Sequence, residues 1–274
     1  MEPRLQRRVQ RYGWDKAAKF YEDSWKDQLK QGQQKLLEMA DIKPGEKVLD
    51  AACGSGLVTF EVANDISTNG TAGEVVAIDL SGEMISLAES KAKSLGLSNI
   101  TFERMDAENL DFENETFDVA LNSFGLMYIP DPVQSLKEMH RVLKPGGRTV
   151  ISIWGARKNC GWAEIFPIVD NRVASDVCPL FFQQGTGDTL KKSLEMAGFK
   201  NVEVDRFMVD LHYSSQDEAI IAAFAGGPVA LAYQKFDTQT KEEAHAEYLN
   251  SIEEFRVNGG YSVPGEFVVA KGEK

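Results

Sequence analysis

Lys47-Val-Leu-Asp-Ala-Ala-Cys-Gly-Ser-Gly56 is the stretch from which the fold of this chain can be read. An apolar run of strand length gives way to two glycines one residue apart, and Leu57 to about Ile66 continues with a helical pattern. A glycine lets backbone amides approach a ligand where a side chain would clash. The helix that follows begins with unpaired N–H groups that suit a carboxylate or phosphate. A buried strand, a glycine turn and a helix in this order make one unit of an open α/β sheet.

Working outward, the unit repeats. Glu74-Val-Val-Ala-Ile-Asp79 reads as the next strand, and Met84, Leu87 or Ala88, Ala92 and Leu95 share a helical face that Gly96 ends. Asn99–Arg104 and Thr116–Leu121 are the third and fourth strands. Leu136, Met139 and Leu143 mark a helix stopped by Pro145-Gly-Gly147, and Arg148–Trp154 is the fifth strand. Near-continuous apolar strands alternating with helices predict a parallel sheet covered on both faces. Past Trp154 the rhythm loosens over residues 155–188. A helix at about 188–198, a strand at about 201–211, a mainly helical stretch over 215–256 and a strand Glu266–Ala270 follow. The expected organisation is an N-terminal helical cap, residues 1–40, on one domain, residues 41–274, with insertions at about 155–188 and 211–264 over the substrate site.

Charge and cysteine usage narrow the function classes. The 274 residues carry a net charge of -12 with a sequence pI of about 4.9. Such a chain repels phosphate backbones, so no nucleic acid partner is expected. Arg4, Arg7, Arg8 and Arg11 form one basic cluster, read as a solvated, partly disordered arm. No apolar run approaches the roughly 18 residues of a membrane span. Cys53, Cys160 and Cys178 fit neither a disulfide framework nor a metal site. A cytoplasmic location and no metal are the expectations, with Cys53 a small filler of its loop.

Open α/β sheets bind ligands at the carboxyl ends of their strands. Asp50, Gly54 and Gly56 end the first strand, and Asp79, which can accept bonds from both ribose hydroxyls, ends the second. Asp106 and Ala107 follow the third strand, where the carboxylate could accept from an adenine amino group. Asn122, at the end of the fourth, could hold an amino-acid head group. A pyrophosphate cofactor favours G-x-G-x-x-G, but Thr59 stands where the third glycine would be, and no P-loop occurs. A ligand with adenine and ribose but no phosphates fits better.

With these residues the chain resembles class I S-adenosylmethionine-dependent methyltransferases of the ubiquinone/menaquinone C-methyltransferase-like group. The resemblance runs over Val48–Gly56, Ala77–Ser81, Met105–Glu108, Phe117–Asn122 and Glu138–Gly147, within roughly residues 40–155. It implies a Rossmann-like, doubly wound, seven-stranded sheet whose last strand is antiparallel, lying between the fifth strand and that near 201–211, with helical insertions forming a substrate lid. It implies S-adenosyl-L-methionine as cofactor. Gly54 and Gly56 would line its methionine part, with Asp50 orienting the amino group through water. Asp79 would bind the ribose, Leu80 pack on the adenine, Asp106 and Ala107 read the adenine edge, and Asn122 sit beside the amino acid. Tyr21, in an N-terminal helix over the cofactor, would lie close to it, although Tyr21, Trp14 and Trp25 could equally be core.

No catalytic residue is fixed by the sequence. His212 and Tyr128 are the candidates for moving a proton, while His140 reads as structural and His245 as solvated. Trp162, Phe166, Phe181, Phe182, Phe224, Tyr233 and Phe236 lie outside the shared core, which points to an apolar or aromatic small-molecule acceptor. Two other readings stay open: a nicotinamide-dependent oxidoreductase on the same sheet, and a cofactor-binding assembly protein without catalysis. The missing third glycine and Asp106 speak against the first. Intact cofactor motifs beside pocket-forming insertions speak against the second.

Overall fold

The computed structural model describes residues 3–66, 73–173 and 181–274. Part of the 155–188 segment, with Cys178, lies outside the described residues. Five strands supply the parallel part of the sheet: β1 Lys47–Ala51, β2 Glu74–Asp79, β3 Ile100–Arg104, β4 Phe117–Ser123 and β5 Leu143–Trp154. β6 Lys200–Tyr213, β7 Arg256–Val257 and β8 Gly260–Glu273 complete it. The order is β3-β2-β1-β4-β5-β8-β6, and β8 runs antiparallel to both β5 and β6. The last strand thus lies where the resemblance placed it. The two-residue β7 pairs only with β8 and adds an eighth strand that the pattern did not show.

Strand alternation divides the core. Val48, Val119, Leu121 and Val150 point to one face, beneath Leu36 and Ala40 of helix α1 Pro3–Ala40 and beneath Val58 and Val62 of α2 Leu57–Asp65. Leu49, Ala120 and Ile151 point to the other, beneath Leu136 and Met139 of α4 Pro132–Val142 and Leu194 of α6 Thr189–Met196. A period of two along strands buried on both faces is what makes each strand read as a continuous apolar run. Helix α3 Gly82–Ser94 starts on a Ser81 cap, whose hydroxyl accepts the Met84 N–H.

Two boundaries differ from the sequence reading. β6 extends to Tyr213 and β8 begins at Gly260, so the connection between them is residues 214–259 rather than 211–264. Each strand continues because the other is there to pair with it, down to Tyr213 opposite Tyr261. Local sequence does not carry that information. The connection holds α7 Gln216–Ile220, a π turn Ile221–Ala225, α8 Ala230–Tyr233 and α9 Thr238–Ser251; α5 Ile165–Asp170 lies in the earlier irregular segment.

Helix α1 spans 38 residues and includes the arginine cluster expected to be a disordered arm. Gln10, Ala17, Trp25, Leu29, Leu36 and Ala40 turn its buried face onto the protein. At Gly32 an added Cβ would come within 2.6 Å of the Phe124 ring, so glycine permits the close approach.

Candidate active site

The carboxyl ends of β1, β2, β3 and β4 open into one cleft, with α1 across its top. About 1020 Å³ of atom-free space lies in it, part of that open solvent. Gly54, Asp79, Leu80, Asp106 and Ala107 line one end together with Tyr21 of α1. The backbone at this end is unusual. Ala52 adopts φ 62° and Phe124 φ 56°, both left-handed without being glycine, and both line the cleft. Strain of this kind survives only where its surroundings impose it, and it concentrates at functional sites.

Asn122 is what imposes it. Its Nδ2 donates to the Ala51 carbonyl at 2.9 Å, and its Oδ1 accepts the Gly125 and Leu126 N–H groups at 3.1 and 2.7 Å. The side chain therefore ties the β1 and β4 loops together, is fully buried, and does not line the cleft. Gly56 also stands behind the wall. It takes φ 89° at the start of α2, and a Cβ there would strike the Phe60 ring at 2.5 Å.

Asp79 accepts the Gly54 N–H on Oδ2 at 2.9 Å and the Ser81 N–H on Oδ1 at 2.8 Å. Burial pushes its carboxyl up to about 6, opposed by those two amides. Each oxygen keeps a lone pair for a further donor. Asp50 lies deeper, 1% exposed, with Oδ2 accepting the Thr59 hydroxyl at 2.6 Å. Its Oδ1 has no hydrogen-bond partner, and burial pushes this carboxyl also to about 6. Tyr21 stands over Gly54; burial, then the nearby Asp79 and Asp50 charges, hold its phenol well above the ordinary range. It is a donor at neutral pH.

At the end of β3, the Asp106 Oδ1 accepts the Glu108 N–H at 3.0 Å and its Oδ2 lies 3.2 Å from the Arg7 Nε. Arg7 donates to the Glu108 Oε2 at 2.5 Å, and the Glu108 Oε1 accepts the Asp131 N–H at 2.9 Å. Glu108 is 5% exposed, so the first turns of α1 are fastened to the floor of the cleft by a buried carboxylate. Arg7 therefore does not belong to a solvated arm, as its sequence surroundings suggest: Glu108, 101 residues away in sequence, holds it.

The other end of the cleft is aromatic. Trp14, Trp25, Phe124, Tyr128, Trp154 and Trp162 line it. The Trp154 and Trp162 ring centres are 4.8 Å apart, and Tyr128 stands edge-on to Trp14 at 5.0 Å. Phe166, Phe181 and Phe182 pack behind Trp162 instead of lining the space. Phe224, Tyr233 and Phe236 belong to a separate group around His245. His212 is exposed on β6, its backbone N–H and carbonyl both bonded to the Gln28 side chain, and it does not reach the cleft. Tyr128 does line it.

Of the residues singled out from sequence, the structure brings together Tyr21, Gly54, Asp79, Leu80, Asp106, Ala107 and Tyr128, with Asp50, Gly56 and Asn122 in the layer behind them. Sequence reasoning missed Arg7, Gln10, Met84, Met105, Phe124 and Trp154. Trp154, Met105 and Phe124 carried a signal, since each ends or directly follows a strand at the face where ligands bind.

A phosphate-free nucleoside suits this arrangement. Leu80, Met84, Met105 and Ala107 form an apolar slot beside two carboxylates. The unpartnered Asp50 Oδ1 and Ser55 Oγ lie buried at the glycine loop, where an ammonium and a carboxylate would be received. Among the described residues no basic side chain lines the cleft apart from Arg7, which is already paired.

The fold and the cleft suit a nucleoside-binding α/β protein, and comparison with known proteins makes it particular. The family described as "Methyltransferase domain" matches residues 42–178, half of the chain. A demethylmenaquinone methyltransferase from Staphylococcus carnosus is 33% identical over 195 residues, 66% of this chain and 79% of that protein. One from Bacillus cytotoxicus is 40% identical over 114 residues, 42% of this chain, but the chain spans only 47% of its length. In fold, the YcgJ protein of Bacillus subtilis matches 89% of this chain and 98% of its own at 16% identity, with a TM-score of 0.65. The chain belongs to this family and is a class I S-adenosylmethionine-dependent methyltransferase of the ubiquinone/menaquinone C-methyltransferase-like group. That assignment removes the nicotinamide and non-catalytic alternatives.

Proposed function

We propose that this methyltransferase acts on a neutral, apolar, aromatic small molecule of the quinol type. The observation that carries the reading is the aromatic end of the cleft. Six aromatic side chains line it, and the one cation that lines the cleft among the described residues, Arg7, is paired with Glu108 and Asp106. A phosphorylated or carboxylated acceptor would find no unpaired counter-ion there, and desolvating it would cost several kcal/mol. The names of the Staphylococcus and Bacillus relatives, demethylmenaquinone methyltransferases, agree with such a ring.

Residue roles follow from placement. Asp79 receives the ribose hydroxyls, Leu80 and Ala107 pack against the adenine, Asp106 accepts from its amino group, and Gly54 gives the methionine part room. Asp50 receives the ammonium, directly or through water, and Tyr21 donates to the same region. Asn122 and Gly56 act by holding these loops. The bound cofactor supplies an electrophilic methyl on a sulfonium.

The chain's own contribution is to hold the acceptor in line and exclude water, worth about 7–11 kcal/mol at best. The aromatic faces also favour the cationic sulfonium over water. No His lines the cleft among the described residues, and its carboxylates Asp79, Asp106 and Glu108 already accept backbone amides or Arg7, so a ring already rich in electrons suits it better than an amine that must lose a proton. Tyr128 is the hydroxyl placed to hold an acceptor oxygen there. Residues 214–259 act as the lid: Pro228 lines the cleft, and the Trp25 indole donates to the Gly226 carbonyl at 2.9 Å. Replacing Trp162 by alanine tests the acceptor reading. KM for a quinol should rise at least tenfold with S-adenosylhomocysteine affinity unchanged; an unaltered KM refutes it.

A further inference from the structure

The charge of this protein is unevenly distributed. Residues 1–20 carry six basic and two acidic side chains, net +4, whereas the remaining chain carries 24 basic against 40 acidic, net −16. Helix α1 turns these residues in two directions. Arg7, Gln10, Trp14 and Tyr21 face the cleft. At 3.6 residues per turn, Arg4, Leu5, Arg8, Arg11, Tyr12, Lys16 and Lys19 fall within about 140° on the opposite side.

The exposures agree. Arg4, Arg8, Lys16 and Lys19 are exposed and Arg11 half-buried. Between Arg4 and Lys19 the acid on this side, Asp15, is turned inward to accept the Ser81 hydroxyl at 2.6 Å. Two large apolar side chains stand among the cations, Leu5 at 47% and Tyr12 at 42% exposure, with the Arg11 guanidinium 4.3 Å above the Tyr12 ring.

We propose that this outer face of α1 docks onto an anionic lipid surface. Cations interleaved with an aliphatic and an aromatic side chain are what an interfacial helix presents to headgroups, the apolar groups entering the acyl boundary. The net −16 of the rest turns the molecule so that only this face approaches an anionic bilayer. The inference rests on the acceptor reading above in one respect: an apolar acceptor concentrates in the bilayer, and α1 is the wall its cleft shares with that surface.

Sedimentation with vesicles of phosphatidylcholine, with and without about one third phosphatidylglycerol, tests it on the full chain. Binding is expected only to the anionic vesicles and should weaken as salt rises. The triple variant Arg4→Gln, Arg8→Gln, Arg11→Gln should partition roughly a hundredfold less. It should keep the wild-type affinity for S-adenosylhomocysteine and the wild-type turnover of a short-chain, water-soluble quinol, while losing turnover of a vesicle-embedded one. The Leu5→Ser, Tyr12→Ser pair should lose the part of binding that survives high salt. Equal binding to neutral vesicles, partition untouched by the triple variant, or tighter binding to single-stranded DNA than to the vesicles would each overturn the proposal. Anionic-vesicle binding with turnover of neither quinol would leave the surface standing and refute the acceptor reading instead.

Discussion

Asp79→Ala removes two things at once, and the structure separates them. The carboxylate accepts the Gly54 and Ser81 N–H groups, so its loss frees the glycine loop and the turn into α3. It also takes away the lone pairs proposed to receive both ribose hydroxyls. Hydrogen bonds to a charged group contribute about 1.5–3 kcal/mol each and do not add fully, so the affinity loss should be about 2–4 kcal/mol. At 1.4 kcal/mol per tenfold, this is roughly 30-fold to nearly 1000-fold in Kd. Titration calorimetry with S-adenosylhomocysteine measures it. Asp79→Asn, which keeps one acceptor oxygen and the side-chain volume, should fall between wild type and alanine. A Kd within threefold of wild type for the alanine variant, with its melting temperature lowered, would mean that Asp79 is only a loop tie, and the ribose assignment would be wrong.

Three further outcomes follow. Arg7→Met leaves the Glu108 carboxylate with only the Asp131 amide; because Arg7 is about a third exposed, the expected stability loss is about 1 kcal/mol, a melting shift of roughly 2 °C. S-adenosylhomocysteine should also dissociate several-fold faster in stopped-flow, and an unchanged off-rate would show that the fastening does not guard the cofactor. Asp50 has its carboxyl raised from 3.8 to about 6, so the folded chain binds its proton more tightly than the unfolded one. The stability from this group is therefore full below about pH 4 and declines as pH rises to about 6. Asp50→Asn should flatten denaturant-derived stability across that window, and an unaltered slope would contradict the burial argument. For the lid, amide exchange over residues 214–259 should slow markedly when S-adenosylhomocysteine and acceptor are both present; uniform protection with and without them would leave a static buttress.

The sheet was legible because strands buried on both faces declare themselves as apolar runs, and glycines with strand-end acids punctuate them. Asp79, Asp106 and Gly54 fell out of that grammar, each at the carboxyl end of a strand. Asn122 was found by the same reasoning, but its side chain spends its bonds on Ala51, Gly125 and Leu126. Position marked it as important without showing which way it turns. The aromatic wall was half legible. Trp162 was expected, while Phe224, Tyr233 and Phe236, equally aromatic and equally outside the shared core, pack around His245 instead. Arg7 could not be read at all, because its meaning comes from Glu108, and a pairing over such a separation exists only in the fold. The limits of β6 and β8 were missed for a related reason, since each strand is extended by its partner.

The most direct measurement of the account is methyl transfer itself. Purified enzyme would be supplied with S-adenosylmethionine labelled on the methyl group and with a panel of acceptors: a neutral quinol, a catechol, a phosphorylated amine and a short RNA. Label is expected in the quinol, with one S-adenosylhomocysteine released per methyl gained, and none in the phosphorylated amine or the RNA. Turnover of the phosphorylated amine with no label in any neutral aromatic acceptor would contradict it.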